Sequence, residues 1–198
     1  MFVMSIAMLL PAEAAGETKE PSAAQLVQQT QRAKRQKDYL TAMVSATELL
    51  SRNPDNSFAK SFVHDNWDAM MRQMDDIVSS NADMNDVEQC VIRTRACSLL
   101  ADVERNLNGV KMPLSGNGWS WQPEMLYTAG NYQSERINLS RLVRKQAAEA
   151  LYSYDADELR QCYDRLLNTD LLFPDERESN RLQLLDDCNK RHHRHTPL

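Results

Sequence analysis

Glycine is scarce, with 5 in 198 residues. Helix interiors penalise Gly by ~1 kcal/mol relative to Ala, so this scarcity favours helices over sheets. A long hydrophobic run is also missing. The most apolar stretch, Phe2 to Leu10, has Ser5 as its only polar residue. It falls well short of the roughly 20 apolar residues that span a bilayer, so no stable membrane span is expected. An excess of positive charge is missing too. The formal net charge is -5, which speaks against a general nucleic-acid binder, because phosphate contacts need a basic face. The chain carries no P-loop, no GxGxxG, no HExxH and no GxSxG, which removes the commonest local signatures of nucleotide, zinc-protease and hydrolase chemistry.

What is present is enough for a folded domain. Hydrophobic residues make up 42% and charged residues 26%, close to ordinary globular composition. The first segment stands apart. Its short apolar run leads into Pro11-Ala12-Glu13-Ala14-Ala15, a small-x-small site of the kind that ends a secretory signal. Residues 1–22 therefore read as signal peptide and linker, with cleavage after Ala14 or Ala15, and the protein as exported to a periplasmic or extracellular space. No Lys or Arg precedes the apolar run, so a short N-terminal helix is the competing reading. Residues 23–189 form the helical domain, and 190–198 read as a disordered basic tail with no apolar residue to dock it before the last two.

Apolar spacing places the helices. Ala23 to Gln36 carries a stripe of Leu26, Val27 and Ala33, with Ser22 positioned as its cap. Tyr39, Ala42, Met43, Ala46, Leu49 and Leu50 follow the i, i+3, i+4 rule, and Asn53-Pro54-Asp55-Asn56 stops that helix. A longer stripe runs from Phe58 to Val78, and another from Asp86 to Leu107. Further helical signal runs from Ser134 to Ser153, from Ala156 to Leu167 and from Glu176 to Asn189. Between them, 109–133 is expected as a long aromatic loop holding Trp119, Trp121 and Tyr127. Loops this long are either functional or mobile. No β alternation stands out. Cys90 and Cys97 lie two helical turns apart, ~10 Å at 1.5 Å per residue, too far to bridge each other. They and Cys162 and Cys188 are either free thiols or partners across different helices.

The segment from Asp38 to Asn56 resembles the second helix and closing turn of a tetratricopeptide repeat. Tyr39, Ala42, Ala46, Leu49 and Pro54 fall at that family's packing positions, and Trp67 at the aromatic position of the next first helix. Leu159, Tyr163 and Leu166, ahead of Pro174, repeat the spacing. Gln29 and Thr30 depart from the pattern, standing where the family usually has Leu and Gly. The resemblance implies an all-α fold of stacked antiparallel helical hairpins, and a protein or peptide partner lying on the face made by the first helices. Val27 and Gln31 occupy two of the positions where carboxylate-clamp members carry Lys and Asn, which speaks against that mode. An irregular helical bundle is the alternative architecture.

No catalytic, metal-binding or cofactor-binding set emerges. His64 has no local Ser or Cys to activate. The paired carboxylates Asp75-Asp76 and Asp186-Asp187 diverge around a helix and do not converge. Cys188, His192, His193 and His195 cluster, but Lys190, Arg191 and Arg194 among them repel a cation. The expectation is a non-catalytic, exported helical scaffold that binds a protein or peptide. The alternative is a small-ligand or glycan-binding protein using Trp119, Trp121 and Tyr127, two of which face one side if extended; against it stands an aromatic insert folded back as a plug.

Overall fold

Four N-cap side chains start the first four helices, each satisfying a backbone N–H that the helix leaves unpaired. In the computed structural model, which describes residues 20–116, 118–124, 129–150 and 190, Ser22 opens α1 (Ala23–Arg35) as a reciprocal capping box with Gln25. Asp38 caps α2 (Tyr39–Arg52), Asn56 caps α3 (Ser57–Ser80) and Asp86 caps α4 (Val87–Leu107). A hairpin of β1 (Leu114–Gly116) and β2 (Trp119–Trp121) follows, and then α5 (Ala129–Ala150). The expectations for the N-terminal signal, Tyr127, Leu159, Tyr163, Leu166, Cys162, Cys188 and the histidine tail lie outside the described residues.

Helix α1 ends by backbone geometry. Lys37 takes a φ of 60°, the left-handed conformation that closes many helices. Asp38 N–H donates to Ala33 O at 3.0 Å and Lys37 N–H to Lys34 O at 2.9 Å, the two bonds of a Schellman motif. The chain thereby reverses within three residues, and α2 runs back along α1. Arg52 Nη1 then donates to Pro21 O at 2.7 Å, tying the end of α2 to the start of α1.

Helix α2 is the centre of the molecule. It packs against α1, α3 and α4. Leu40, Ala42, Met43, Ala46, Leu49 and Leu50 are all buried on it, so the helix is enclosed on several sides and not on one stripe alone. Ala42 and Ala46 have no exposed surface. A larger side chain at either would force neighbouring helices apart, at a cost of about 1–3 kcal/mol. Thr47 is buried as well, and its hydroxyl donates to Met43 O at 2.8 Å. Thr30 on α1 and Thr94 on α4 do the same with Leu26 O and Cys90 O, so these polar groups enter the core without an unmet hydrogen bond.

The neighbours of α2 are locked by side chains. Gln73 of α3 accepts from Leu40 N–H at 3.0 Å, meeting an N–H that α2 cannot satisfy itself. Asn106 of α4 donates to Val44 O and Thr47 Oγ1 of α2. Helix α4 therefore packs on α2 more than on α3, its immediate predecessor in the chain. Its C-terminal half contributes Ala96, Cys97, Leu100 and Val103 to the main core. α4 also packs closely with α5, on which Leu139 and Leu142 are buried.

The stretch expected as one loop over 109–133 is more ordered than its composition indicates. It contains the antiparallel hairpin, with Leu114 opposite Trp121 and Gly116 opposite Trp119. Helix α5 begins at Ala129, inside the expected loop. Three-residue strands are too short for alternation to register. The legible signal was Asn117-Gly118, the dipeptide favoured in two-residue hairpin turns, and Gly118 has the positive φ (82°) such turns require.

Candidate functional site

Two surfaces bring together side chains with recognition chemistry. The first is where the hairpin meets α3. Strand alternation puts Trp119 and Trp121 on one face of β2 and Ser120 on the other, and the tryptophans are half-buried while Ser120 is exposed. The Trp119 ring stacks on His64 with centroids 4.3 Å apart and planes 17° apart. Trp121 meets His64 edge-on at 5.5 Å and Trp67 edge-on at 5.6 Å. Trp67 Nε1 donates to Glu124 O at 3.2 Å, so the buried indole has its polar partner. Gly116 is required by this packing: a Cβ there would lie 2.5 Å from the Trp119 indole.

His64 Nδ1 lies 2.7 Å from Asp65 Oδ1. That pairing orients an imidazole, the first ingredient of acid–base chemistry. Its ring, however, is engaged by two tryptophans, and no described Ser or Cys hydrogen-bonds to it. The arrangement fastens the hairpin to α3. Among the described residues no three His, Cys, Asp or Glu side chains group as a metal site.

The second surface is an open groove of about 390 Å³ lined by Lys34 of α1 and by Ser57, Phe58, Ser61, Phe62, Asp65 and Asn66 of α3. The spacing of 57, 58, 61, 62 and 65 is one face of a helix. Phe58 and Phe62 lie with ring centroids 5.9 Å apart, and Lys34 Nζ sits 5.5 Å over the Phe62 ring. The Asn66 amide donates to Phe62 O at 2.8 Å, fixing the floor. A second hollow, of about 420 Å³, is lined by Gln31, Lys34 and Arg35. Lys34 borders both. The aromatic face of α3 was legible as a stripe, but nothing local marks it as a groove, because its opposite wall comes from another helix.

Between α4 and α5 lies a buried ion pair, Arg93 with Glu135, their side chains 6% and 15% exposed. Among the described residues, Arg93 Nε and Glu135 Oε2 have no hydrogen-bond partner. Cys90 accepts from Asn138 Nδ2 at 3.4 Å. Cys90 and Cys97 are both free and buried. Burial pushes the Cys97 thiol up to about 11, with Glu135 adding to the rise and Arg93 opposing it. Burial likewise raises Cys90, against the pull of Arg93. Raised thiols are poor nucleophiles at neutral pH, so these cysteines are packing residues.

The packing residues read from the repeat resemblance take different places. Ala42, Ala46, Leu49 and Trp67 are buried in the main core, Tyr39 packs at its edge, and Pro54 is exposed in the turn. The fold thus defines a class: a mostly helical protein of packed helix pairs, compatible with a helical repeat. None of its described helices is long and apolar enough to cross a membrane. No known protein family matches the sequence, and neither a curated protein nor a solved structure matches it.

Proposed function

We propose that this protein is an exported, non-catalytic helical scaffold that binds a peptide or protein segment in the α1–α3 groove. We further propose that the chain is a degenerate tetratricopeptide-like stack, in which α1 and α2 form one hairpin and α3 packs on α2 as the next first helix, with α4 packing on α2 more than on α3. The observation that carries the binding reading is the groove itself. It offers the Phe58 and Phe62 rings, exposed hydroxyls and the Asp65 carboxylate along one face of α3, with the Lys34 cation opposite on α1, a surface suited to an extended or helical segment. The small, fully buried Ala42 and Ala46 support the stack, because hairpin stacking needs close helix approach. The signal-like segment from Phe2 to Ala15 supports export.

The tryptophan hairpin is the weaker site for a glycan or small ligand. One ring face of Trp119 is stacked on His64, and Trp121 is held by His64 and Trp67.

Selection from a displayed library of random linear peptides tests the reading. Enriched sequences are expected to bind the wild-type protein, and to lose at least about tenfold in affinity when Ser61→Trp fills the groove. A library that yields no specific binder, or binders indifferent to Ser61→Trp, would sink the proposal. Circular dichroism of the variant checks that the exposed substitution leaves the fold intact.

A further inference from the structure

We infer that the occupant of the α1–α3 groove is an acidic segment of a partner protein, with an apolar side chain seated beside Phe58 and Phe62. This rests on the groove reading above and names the chemistry of its ligand. The charge of α1 carries the inference. The helix holds Arg32, Lys34 and Arg35 in its last turn and no acidic residue, in a chain whose net charge is -5. All three cations are exposed, and no described carboxylate forms an ion pair with them. The helix macrodipole accounts for favourable cations at a C-terminus, each at about 0.3–1 kcal/mol. It does not account for the placement of Lys34 over the Phe62 ring. Lys34 is drawn over Phe62 and forms the shared wall of the two hollows, the second of which Arg35 also lines, so a cationic rim of Lys34 and Arg35 adjoins the aromatic strip. The one carboxylate lining the groove, Asp65, faces the imidazole of His64 at 2.7 Å, which leaves the α1 side as the cationic rim. A segment that places an apolar residue on the rings and carboxylates on Lys34 and Arg35 matches both strips. Rim charges of this kind set partner choice and association rate more than affinity in bulk.

The test uses three fluorescein-labelled peptides sharing one Leu-Phe anchor, flanked by Glu and Asp, by Gln and Asn, or by Lys. Anisotropy is measured on the full chain, on Lys34→Glu/Arg35→Glu and on the milder Lys34→Gln/Arg35→Gln. The expected result is acidic over neutral by about tenfold, weakened by added salt, lowered in the Gln pair and inverted towards the Lys peptide in the Glu pair. Equal binding of all three peptides, abolished by Ser61→Trp, would overturn the acidic preference and leave the groove as a peptide site. Binding of none of the three, together with an empty display selection, would overturn the groove reading itself. Binding of anionic lipid vesicles or single-stranded DNA in place of the acidic peptide, lost in the Glu pair, would overturn the protein partner in favour of that polyanion.

Discussion

Lys37 and Cys97 show how much a single position can depend on its surroundings. Lys37 sits at φ 60°, a conformation that costs an L-residue roughly 1–2 kcal/mol. It is held there by the two Schellman bonds that reverse the chain between α1 and α2. Cys97 is held protonated by burial, its thiol pushed up to about 11 from an unperturbed 9.0. Because the folded chain keeps the proton that an unfolded chain gives up, this contribution to stability is present below about pH 9 and lost as pH rises towards 11. Urea unfolding from pH 7 to 10.5 is expected to show an alkaline loss of stability that Cys97→Ala flattens. At pH 8, peptide mapping after iodoacetamide treatment is expected to find Cys97 unmodified in the native protein and modified in urea. Rapid native labelling would contradict the burial argument.

The hairpin is an element that exists only through its contacts. Strands of three residues have no independent stability, and this pair is held down by the tryptophan–histidine cluster on α3. Gly116 is where that packing is tightest. Gly116→Ala is expected to push Trp119 off His64 and to destabilise the protein by about 1–3 kcal/mol, in the range for overpacked sites. The check is a change in tryptophan emission together with a lower urea midpoint. An unchanged emission spectrum would mean that the stack does not govern the environment of Trp119. The four helices from Ala23 to Leu107 need less help, because caps and apolar spacing agree within each. Their expected limits match the observed ones to within about two residues. The hairpin was invisible to the same reasoning, since alternation cannot show in so short a strand and only Asn117-Gly118 marked it.

At the scale of the molecule, α4 joins two packing regions. Its C-terminal half belongs to the main core around α2, and α5 lies against it with its own buried Leu139 and Leu142. The Arg93–Glu135 pair links α4 to α5 at low exposure. Removing one partner of a buried pair leaves the other charge without compensation, which costs about 3–5 kcal/mol, whereas replacing both with apolar residues is often neutral. Arg93→Ala is therefore expected to raise hydrogen exchange in α5 well before α2, and Arg93→Met/Glu135→Leu to restore most of the protection. Uniform loss of protection across all helices would mean that the molecule opens as one unit.

The chain by itself determined where the helices from Ala23 to Leu107 begin and end, and one buried stripe of α2, though not that Leu40, Ser45 and Thr47 are enclosed beside it. Those properties follow from residues within a few positions of one another: caps, periodic apolar side chains, and the Asn-Pro-Asp-Asn stop. It also marked Trp119 and Trp121 as worth attention, though not their partners. Tertiary structure alone decided that α4 packs on α2 more than on α3. It also decided that Arg93 is buried against Glu135, 42 residues away, that His64 clamps the tryptophans, and that Lys34 of α1 faces Phe62 of α3. Each of these is a contact between separate elements, and local periodicity carries the same pattern whichever neighbour the face finally meets.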